Sequence, residues 1–183
     1  LILGLLGISS DHMQRYLESK GLGDRLAGVF RTGETMDLLA VENQVFAWTD
    51  KESAPRSTRD KGAFHLESDH LNQVGIALIP ERPGGVNLSG GLLCFRYRCA
   101  EALEPVIIEL KPLGGPPADN GLIPNEIFTR LAATNGRDEE IQVPLPATPG
   151  LSQIKEVVIT HQPALKGRPI ALSITGAWVI IPR

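Results

Sequence analysis

Short apolar runs separated by turn-forming residues constrain this chain more than any other feature of its sequence. The runs recur from about residue 34 onward, and each has the length of a single β-strand. They are Met36–Val41, Val45–Trp48, Gly62–Glu67, Gly75–Ile79, Leu92–Cys99, Pro105–Lys111, Phe128–Ala132, Ile141–Leu145, Glu156–His161 and Ile170–Ile181. Breaker stretches such as KESAPRS and KPLGGPPADNG lie between them. Because long helical patterns are missing after residue 33, the spacing predicts an all-β antiparallel sandwich or barrel.

The composition fits this fold class and argues against one class of partner. The 183 residues include 19 glycines and 14 prolines, which suit frequent turns, and 42% of them are hydrophobic, which is enough for a core. The formal net charge is -3, so no basic field favours nucleic acid. We therefore expect no nucleic-acid partner.

The first 33 residues differ in texture from the rest and predict a separate arm. Residues 1–8, LILGLLGI, are apolar or glycine but too few to span a bilayer, which takes about 20 residues. They fit the end of a membrane anchor, a signal-peptide remnant or a core segment. Ser9-Ser10-Asp11 then predicts the N-cap of a short helix. The candidate docking residues of this arm are Leu3, Leu5, Leu6, Met13, Tyr16 and Leu17. Residues 34–183 form the predicted sandwich, and the apolar start favours a membrane-associated or extracytoplasmic location.

The two cysteines are predicted to be free. Cys94 and Cys99 lie an odd number of positions apart in one predicted strand, so they point to opposite faces about 17 Å apart. A disulfide requires Cα atoms within about 7 Å. The pattern therefore predicts two buried or half-buried thiols.

Two predicted strands each pair an apolar face with a charged one. Leu92–Cys99 carries Arg96 and Arg98 on its polar face, and the next strand carries Glu109 and Lys111 on its own. If the strands are neighbours, one arginine faces Glu109 across the ladder. These four residues are candidate ligand-binding residues, since arginines suit an anionic sugar or a protein carboxylate. The alternative is an ordinary solvated side of a sheet.

Four stretches of the sequence carry a likeness to a known family. They are Trp48-Thr-Asp50 with Arg56-Ser-Thr58 and Gly62–Leu66, Val86–Gly90 with Leu93–Arg98, Ile141–Leu145 with Gly150–Ile154 and Val157–Thr160, and Ile170–Trp178. From Trp48 to about residue 181 the chain resembles the jelly-roll modules of the galactose-binding-like superfold. These include non-catalytic carbohydrate-binding modules and the complex I intermediate-associated assembly-factor family. The resemblance implies an antiparallel jelly-roll β-sandwich, to which the short helical arm is appended.

The resemblance does not extend to every feature of the family. Asn87 stands where the family's turn usually has Asp, and the closing strand lacks the acidic pair that often helps sugar-binding modules hold a structural calcium. No cofactor is therefore predicted, and a structural calcium stays only an alternative.

The sequence carries no motif that predicts catalysis. It has no G-x-S-x-G elbow, and its paired glycines lack the lysine of a phosphate-binding loop. The acidic run Asp138–Glu140 follows a turn, where carboxylates are usually solvated. His65, Glu67, Asp69 and His70 offer possible metal ligands, but alternation along a solvated strand edge explains them as well. We expect a protein that is not an enzyme.

Two functions remain open from the sequence alone. The first is a non-catalytic accessory subunit that docks through its N-terminal arm to a membrane or a larger protein assembly. The second is a carbohydrate-binding module that recognises a glycan, acidic or neutral, on the charged sheet face. Trp48 and Trp178 are its candidate stacking platforms, although packing in the core or between the sheets is the simpler explanation for both. The apolar arm favours the first function.

Overall fold

The computed structural model describes residues 34–49, 55–68, 73–114, 126–161 and 169–181. These residues form eleven β-strands and one short 3-10 helix, Pro149–Leu151. The strands are β1 (Glu34–Asp37), β2 (Gln44–Thr49), β3 (Arg56–Asp60), β4 (Ala63–Ser68), β5 (Val74–Ile79), β6 (Leu92–Cys99), β7 (Leu103–Pro112), β8 (Glu126–Leu131), β9 (Glu139–Pro144), β10 (Ile154–His161) and β11 (Ile170–Ile181). The strand pairings of both sheets are antiparallel, which confirms the predicted all-β sandwich.

The predicted N-terminal arm lies outside the described residues. Its docking residues were Leu3, Leu5, Leu6, Met13, Tyr16 and Leu17. The arm and its role in docking therefore stay predictions. Within the described ranges, no helix is long and apolar enough to cross a membrane.

The strands build two sheets that pack face to face. One sheet has the order β3-β4-β11-β6-β9, with β1 paired to the end of β11, and the other has the order β2-β5-β10-β7-β8. Between β4 and β7 the chain crosses from one sheet to the other at each step, as in a jelly roll. Strands that are neighbours in sequence, such as β6 and β7, therefore belong to different sheets.

The core consists of the apolar side chains on the two inner faces. Leu93 and Phe95 of β6 and Ile174 of β11 meet Ile108 and Leu110 of β7, and all five are almost completely buried. Each such side chain contributes about 1.5–3 kcal/mol through its burial. This burial fixes which residues of every strand point outward, because side chains alternate between the two faces.

A β-bulge halfway along the central strand β11 reverses which alternate side chains point to the core. Its pairing with β6 shifts between Ile174 and Gly176, which leaves Thr175 as an extra residue. As a result Ile174 and Ala177 both face the core, although they are an odd number of positions apart. The same shift turns Trp178 to the outer face, so it is not a core residue.

The strand predicted over Met36–Val41 is shorter than expected. It ends at Asp37, whose Oδ1 accepts a hydrogen bond of 2.8 Å from the backbone N–H of Leu39 and so closes a turn. Leu38 and Leu39 are still buried, as their apolar character suggested, but they belong to the loop that follows.

Strand β3 was not predicted, because its residues RSTRD have no apolar alternation and all lie exposed at the sheet edge. Its Arg59 holds the loop between β1 and β2. One guanidinium nitrogen donates to the carbonyl of Asn43 at 2.9 Å, and another donates to those of Leu39 and Ala40 at 2.6 and 2.7 Å. These charge-assisted bonds join an edge strand to the loop on the same side of the molecule.

Both cysteines are buried free thiols, as predicted. Cys99 faces the core and its Sγ donates to the carbonyl of Ala132 at 3.1 Å, whereas Cys94 lies on the outer side of β6. Burial, and to a smaller extent the charge of Glu140, raises the pKa of the Cys94 thiol to about 11. Neither group is poised for thiolate chemistry at neutral pH.

The buried His161 should make the fold sensitive to acid. Burial lowers the pKa of His161. The hydrogen bond that its Nδ1 donates to the carbonyl of Pro105, at 2.9 Å, raises the pKa by a smaller amount. The unfolded chain binds this proton more readily, so the free energy of unfolding should fall as the pH drops below about 6.5, by at most about 1.4 kcal/mol per pH unit. Urea unfolding between pH 8 and pH 5 measures this slope.

The variant His161→Gln is the control for this experiment. It keeps a donor for the Pro105 carbonyl but binds no proton, so its slope between pH 8 and pH 5 should be smaller than that of the unmodified protein. Equal slopes for the two proteins would contradict the assignment of the acid sensitivity to His161.

Candidate functional site

The structure does not bring the four predicted ligand-binding charges together. Arg96 and Arg98 lie on the outer face of the six-stranded sheet, and Glu109 and Lys111 lie on the outer face of the five-stranded sheet. The two pairs thus stand on opposite sides of the sandwich. The alternation of each strand was interpreted correctly, but the expected pairing of an arginine with Glu109 is wrong, because β6 and β7 are not neighbours.

On the six-stranded sheet each arginine has an acidic partner from β9 or the turn before it. Arg96 lies opposite Glu140 in the ladder, with their charged atoms 3.6 Å apart, and its guanidinium lies 5.7 Å from the ring centre of Trp178. The Nε of Arg98 donates to Oδ1 of Asp138. This hydrogen bond holds the pKa of the Asp138 carboxyl below its usual value. The acidic run that the sequence placed in solvent therefore pairs with the two arginines.

The outer face of the five-stranded sheet carries three aromatic side chains, Phe46, Trp48 and Phe128. We call it the aromatic face. Phe46 and Phe128 are 43% and 67% exposed, and Trp48 is half-buried. The other aromatic side chains that the structure describes are Phe64, Phe95 and Tyr97 in the core and Trp178 on the opposite sheet. Exposed aromatic rings in this part of the chain thus concentrate on one face, a pattern that marks interaction sites.

The strand register places two of these rings at opposite edges of the sheet. Trp48 of β2 lies opposite Gly75, which lies opposite Thr160, and that row continues through Ile107 to Phe128 of β8. With strands about 4.8 Å apart, the backbone positions of Trp48 and Phe128 are about 19 Å apart across the sheet. Phe46 stands beside Trp48 on the same edge strand, two positions earlier.

The position of the Trp48 ring depends on a glycine. A Cβ added to Gly75 would lie only 2.6 Å from the Trp48 Nε1 and 2.9 Å from the Ile159 carbonyl oxygen. The ring therefore occupies the space above Gly75. Its Nε1 is buried and has no hydrogen-bond partner within the described residues, so packing rather than hydrogen bonding holds the ring in place.

Polar groups lie between and beside the rings. Lys111 pairs with Glu156 across the ladder, with their charged atoms 3.6 Å apart, and the Thr160 hydroxyl donates to Glu109 at 3.4 Å. Glu126 lies opposite Glu109. The face combines apolar rings with hydrogen-bonding groups, as recognition of a ligand that has both apolar and polar surfaces requires.

The sequence contained a signal for this face that we did not interpret. Phe46 and Trp48 alternate within β2, and Phe128 alternates with the inward-facing Ile127 and Leu131 of β8. Alternation alone places all three rings on outward positions. The sequence could not show that β2 and β8 belong to the same sheet, so it did not predict that the three rings share one face.

No metal site is found in the part of the chain that the structure describes, where no three His, Cys, Asp or Glu side chains converge. Of the four candidate ligands, Asp69 and His70 lie outside the described residues. The Nδ1 of His65 instead lies 2.8 Å from the Ser173 hydroxyl, and Glu67 pairs with Arg56 at 3.5 Å.

Comparison with solved structures shows what the fold is similar to. The xylan-binding module CBM15 aligns with a TM-score of 0.56 at 10% identity, over 81% of this chain and 97% of that module. The family 30 carbohydrate-binding module of a cellulosomal cellulase of Clostridium thermocellum aligns with a TM-score of 0.54 at 12% identity, over 81% and 98%. An agarase, AgWH50C, aligns with a TM-score of 0.53 at 11% identity, over 83% of this chain but 25% of the agarase.

No protein-family model matches the sequence, and no curated protein matches it. At these identities the structural likeness shows a shared jelly-roll fold and nothing finer. None of the three structures named here is an assembly factor.

The role of Gly75 in seating Trp48 can be tested by substitution. In Gly75→Ala the new methyl group would meet the indole and a backbone carbonyl, so the variant should be less stable by about 1–3 kcal/mol and its Trp48 should move. The protein has 2 tryptophans, so a Trp178→Phe background leaves Trp48 as the only fluorescent indole. We expect a shifted emission maximum.

The matched control is Gly84→Ala, because a Cβ at Gly84 would meet nothing within 4 Å. Its stability should stay within about 0.5 kcal/mol of the starting protein, with unchanged emission. If Gly75→Ala behaved like this control, the seating of Trp48 over Gly75 would be wrong.

Proposed function

We propose that this chain is a non-catalytic carbohydrate-binding module whose glycan lies on the aromatic face. The observation that carries the proposal is that Phe46, Trp48 and Phe128 share one outer sheet face and that two of them are widely exposed. A pyranose has an apolar C–H face that stacks on such rings and hydroxyl groups that bond to neighbouring polar side chains.

The spacing of the rings favours a glycan chain over a single sugar. One ligand that contacts both Trp48 and Phe128 must cross most of the five-stranded sheet, whose edge strands lie about 19 Å apart. A monosaccharide reaches only one edge. Affinity for this face should therefore increase with the number of sugar units until the chain reaches both edges.

The charges on the aromatic face favour a neutral glycan. Carboxylates on this side include Glu109, Glu126 and Glu156, and they alternate with the cations Lys111, Arg130 and Lys155, the last being the extra residue of a bulge in β10. The face therefore has no excess of positive charge that would attract an acidic glycan. The structural relatives suggest which glycans to test first, since one is described as xylan-binding and another as an agarase.

Docking through the N-terminal arm is compatible with glycan binding but gains no support from the described residues. The arm lies outside those residues, so an accessory subunit at a membrane or in a larger assembly stays a prediction from the sequence. The two functions differ in the surface they use, and loss of residues 1–33 should leave glycan binding unchanged.

Removal of one exposed ring tests the glycan surface directly. Phe128→Ala should weaken binding of xylan or agarose oligosaccharides by about 2- to 12-fold, the effect of about 0.5–1.5 kcal/mol that an aromatic contact contributes. Isothermal titration calorimetry with a ladder of oligosaccharide lengths measures this change. The loss should be greatest for the longest oligosaccharides.

Val41→Ala is the control, because Val41 is 91% exposed but lies in the loop after β1 rather than on the aromatic face. It should leave affinity unchanged. If the folded protein bound neither these oligosaccharides nor any neutral glycan on an array, the proposal would be overturned. If Phe128→Ala and the unmodified protein bound with equal affinity, the glycan would not lie on the aromatic face as proposed.

A further inference from the structure

The six-stranded sheet carries a cleft of about 400 Å³ on the side opposite the aromatic face. Its lining includes small residues of the central strand β11, namely Ala171 and Ser173, between longer side chains of β4 and β6. Short side chains flanked by long ones leave a depression in an otherwise flat sheet surface. A volume of this size matches the lower range of sites for small organic ligands.

One row of polar side chains crosses this cleft from strand to strand. Thr58 of β3 lies opposite His65, which lies opposite Ser173, which in turn lies opposite Arg98. The Nδ1 of His65 and the Ser173 hydroxyl are 2.8 Å apart, which fixes the orientation of the imidazole ring. The row spans about 14 Å across four strands.

Arg98 is the group in this row best suited to an anion. Its Nε donates to Asp138, an interaction that orients the guanidinium, and the Arg98 side chain is 52% exposed. The guanidinium fork matches the geometry of a carboxylate, with two parallel hydrogen bonds. Each of the two nearby carboxylates has a cationic partner, since Asp138 pairs with Arg98 and Glu67 pairs with Arg56.

The cleft differs from the aromatic face in the ligand that it can hold. No Phe, Tyr or Trp side chain is among the described residues that line it, so it lacks the large rings on which a neutral pyranose stacks. It offers a guanidinium, an imidazole and hydroxyl groups instead, together with the carboxylate of Glu67, which pairs with Arg56. Recognition here must come from charge and hydrogen bonds.

We propose that this cleft is a second binding site, which takes a single carboxylate-bearing sugar unit, a uronic acid. The carboxylate bonds to the fork of Arg98, and the sugar hydroxyls bond to His65, Ser173 and Thr58. The proposal rests on the residues of the cleft alone and does not require a glycan on the aromatic face. A module with both sites would hold a neutral chain on one side and an acidic sugar on the other.

Titration of the folded protein with glucuronate and with glucose tests the site, because the two sugars differ only in the carboxylate. Backbone amide chemical shifts followed by NMR should change with glucuronate at Ser173, Arg98 and His65, and glucose should bind at least about tenfold more weakly. Glucose binding as tightly as glucuronate, or binding of neither sugar, would overturn the proposal.

Two substitutions of Arg98 and one of Arg96 test whether Arg98 binds the carboxylate of glucuronate. Arg98→Gln should weaken glucuronate binding about tenfold or more, and Arg98→Lys should weaken it as well, because it keeps the charge but loses the fork. Arg96→Gln is the matched control on the same strand and face, since Arg96 does not line the cleft. Equal losses for Arg96→Gln and Arg98→Gln would contradict the assignment.

Acetate separates the carboxylate from the sugar. Glucuronate should bind more tightly than acetate, because its hydroxyls reach the polar row as well. If acetate bound equally well, the cleft would be a site for a carboxylate alone and the sugar assignment would be wrong. Phe128→Ala should leave glucuronate binding unchanged, because Phe128 does not line the cleft. The proposal for the cleft and the proposal for the aromatic face can therefore be contradicted separately.

Discussion

Contact between the inner faces of the two sheets determines which side chains this protein can present to a ligand. Because side chains alternate along a strand, burial of Phe95, Ile108 and Ile174 commits every second residue of their strands to the core and turns the others outward. A shift of one residue in any register would exchange the two sets. Even the bulge in β11 keeps apolar residues inward on both of its sides.

This constraint produces two outer faces with different chemistry. The five-stranded sheet presents Phe46, Trp48 and Phe128, with small or short residues such as Gly75 between them. The six-stranded sheet presents arginines paired with carboxylates and a polar cleft at β11. The jelly roll contributes to this because it sends most successive strands to opposite sheets. The first face suits stacking on a neutral glycan, and the second suits bonding to an anionic group.

The sequence predicted much of the fold and part of the sites, for reasons that particular residues make clear. Alternation predicted the facing of Arg96 and Glu109 correctly, because the pattern of one strand depends only on its own burial. It could not predict that they lie on opposite sides of the molecule, since the outer faces of both sheets have the same pattern in sequence. Strand β3 was missed because edge strands with both faces in solvent need no apolar residues. The shared face of Phe128 with Phe46 and Trp48 was not predicted, because β2 and β8 are distant in sequence and lie at opposite edges of one sheet.

The proposed function therefore depends on long-range pairing more than on any local motif, since no single strand contains the surface that the rings form together. The most direct test is to map the binding site of a neutral oligosaccharide, long enough to cross the sheet, by backbone amide chemical shifts. Our account predicts changes concentrated in β2, β5 and β8 around Trp48, Gly75 and Phe128. Changes confined to β4, β6 and β11, or to loops at one end of the sandwich, would contradict it.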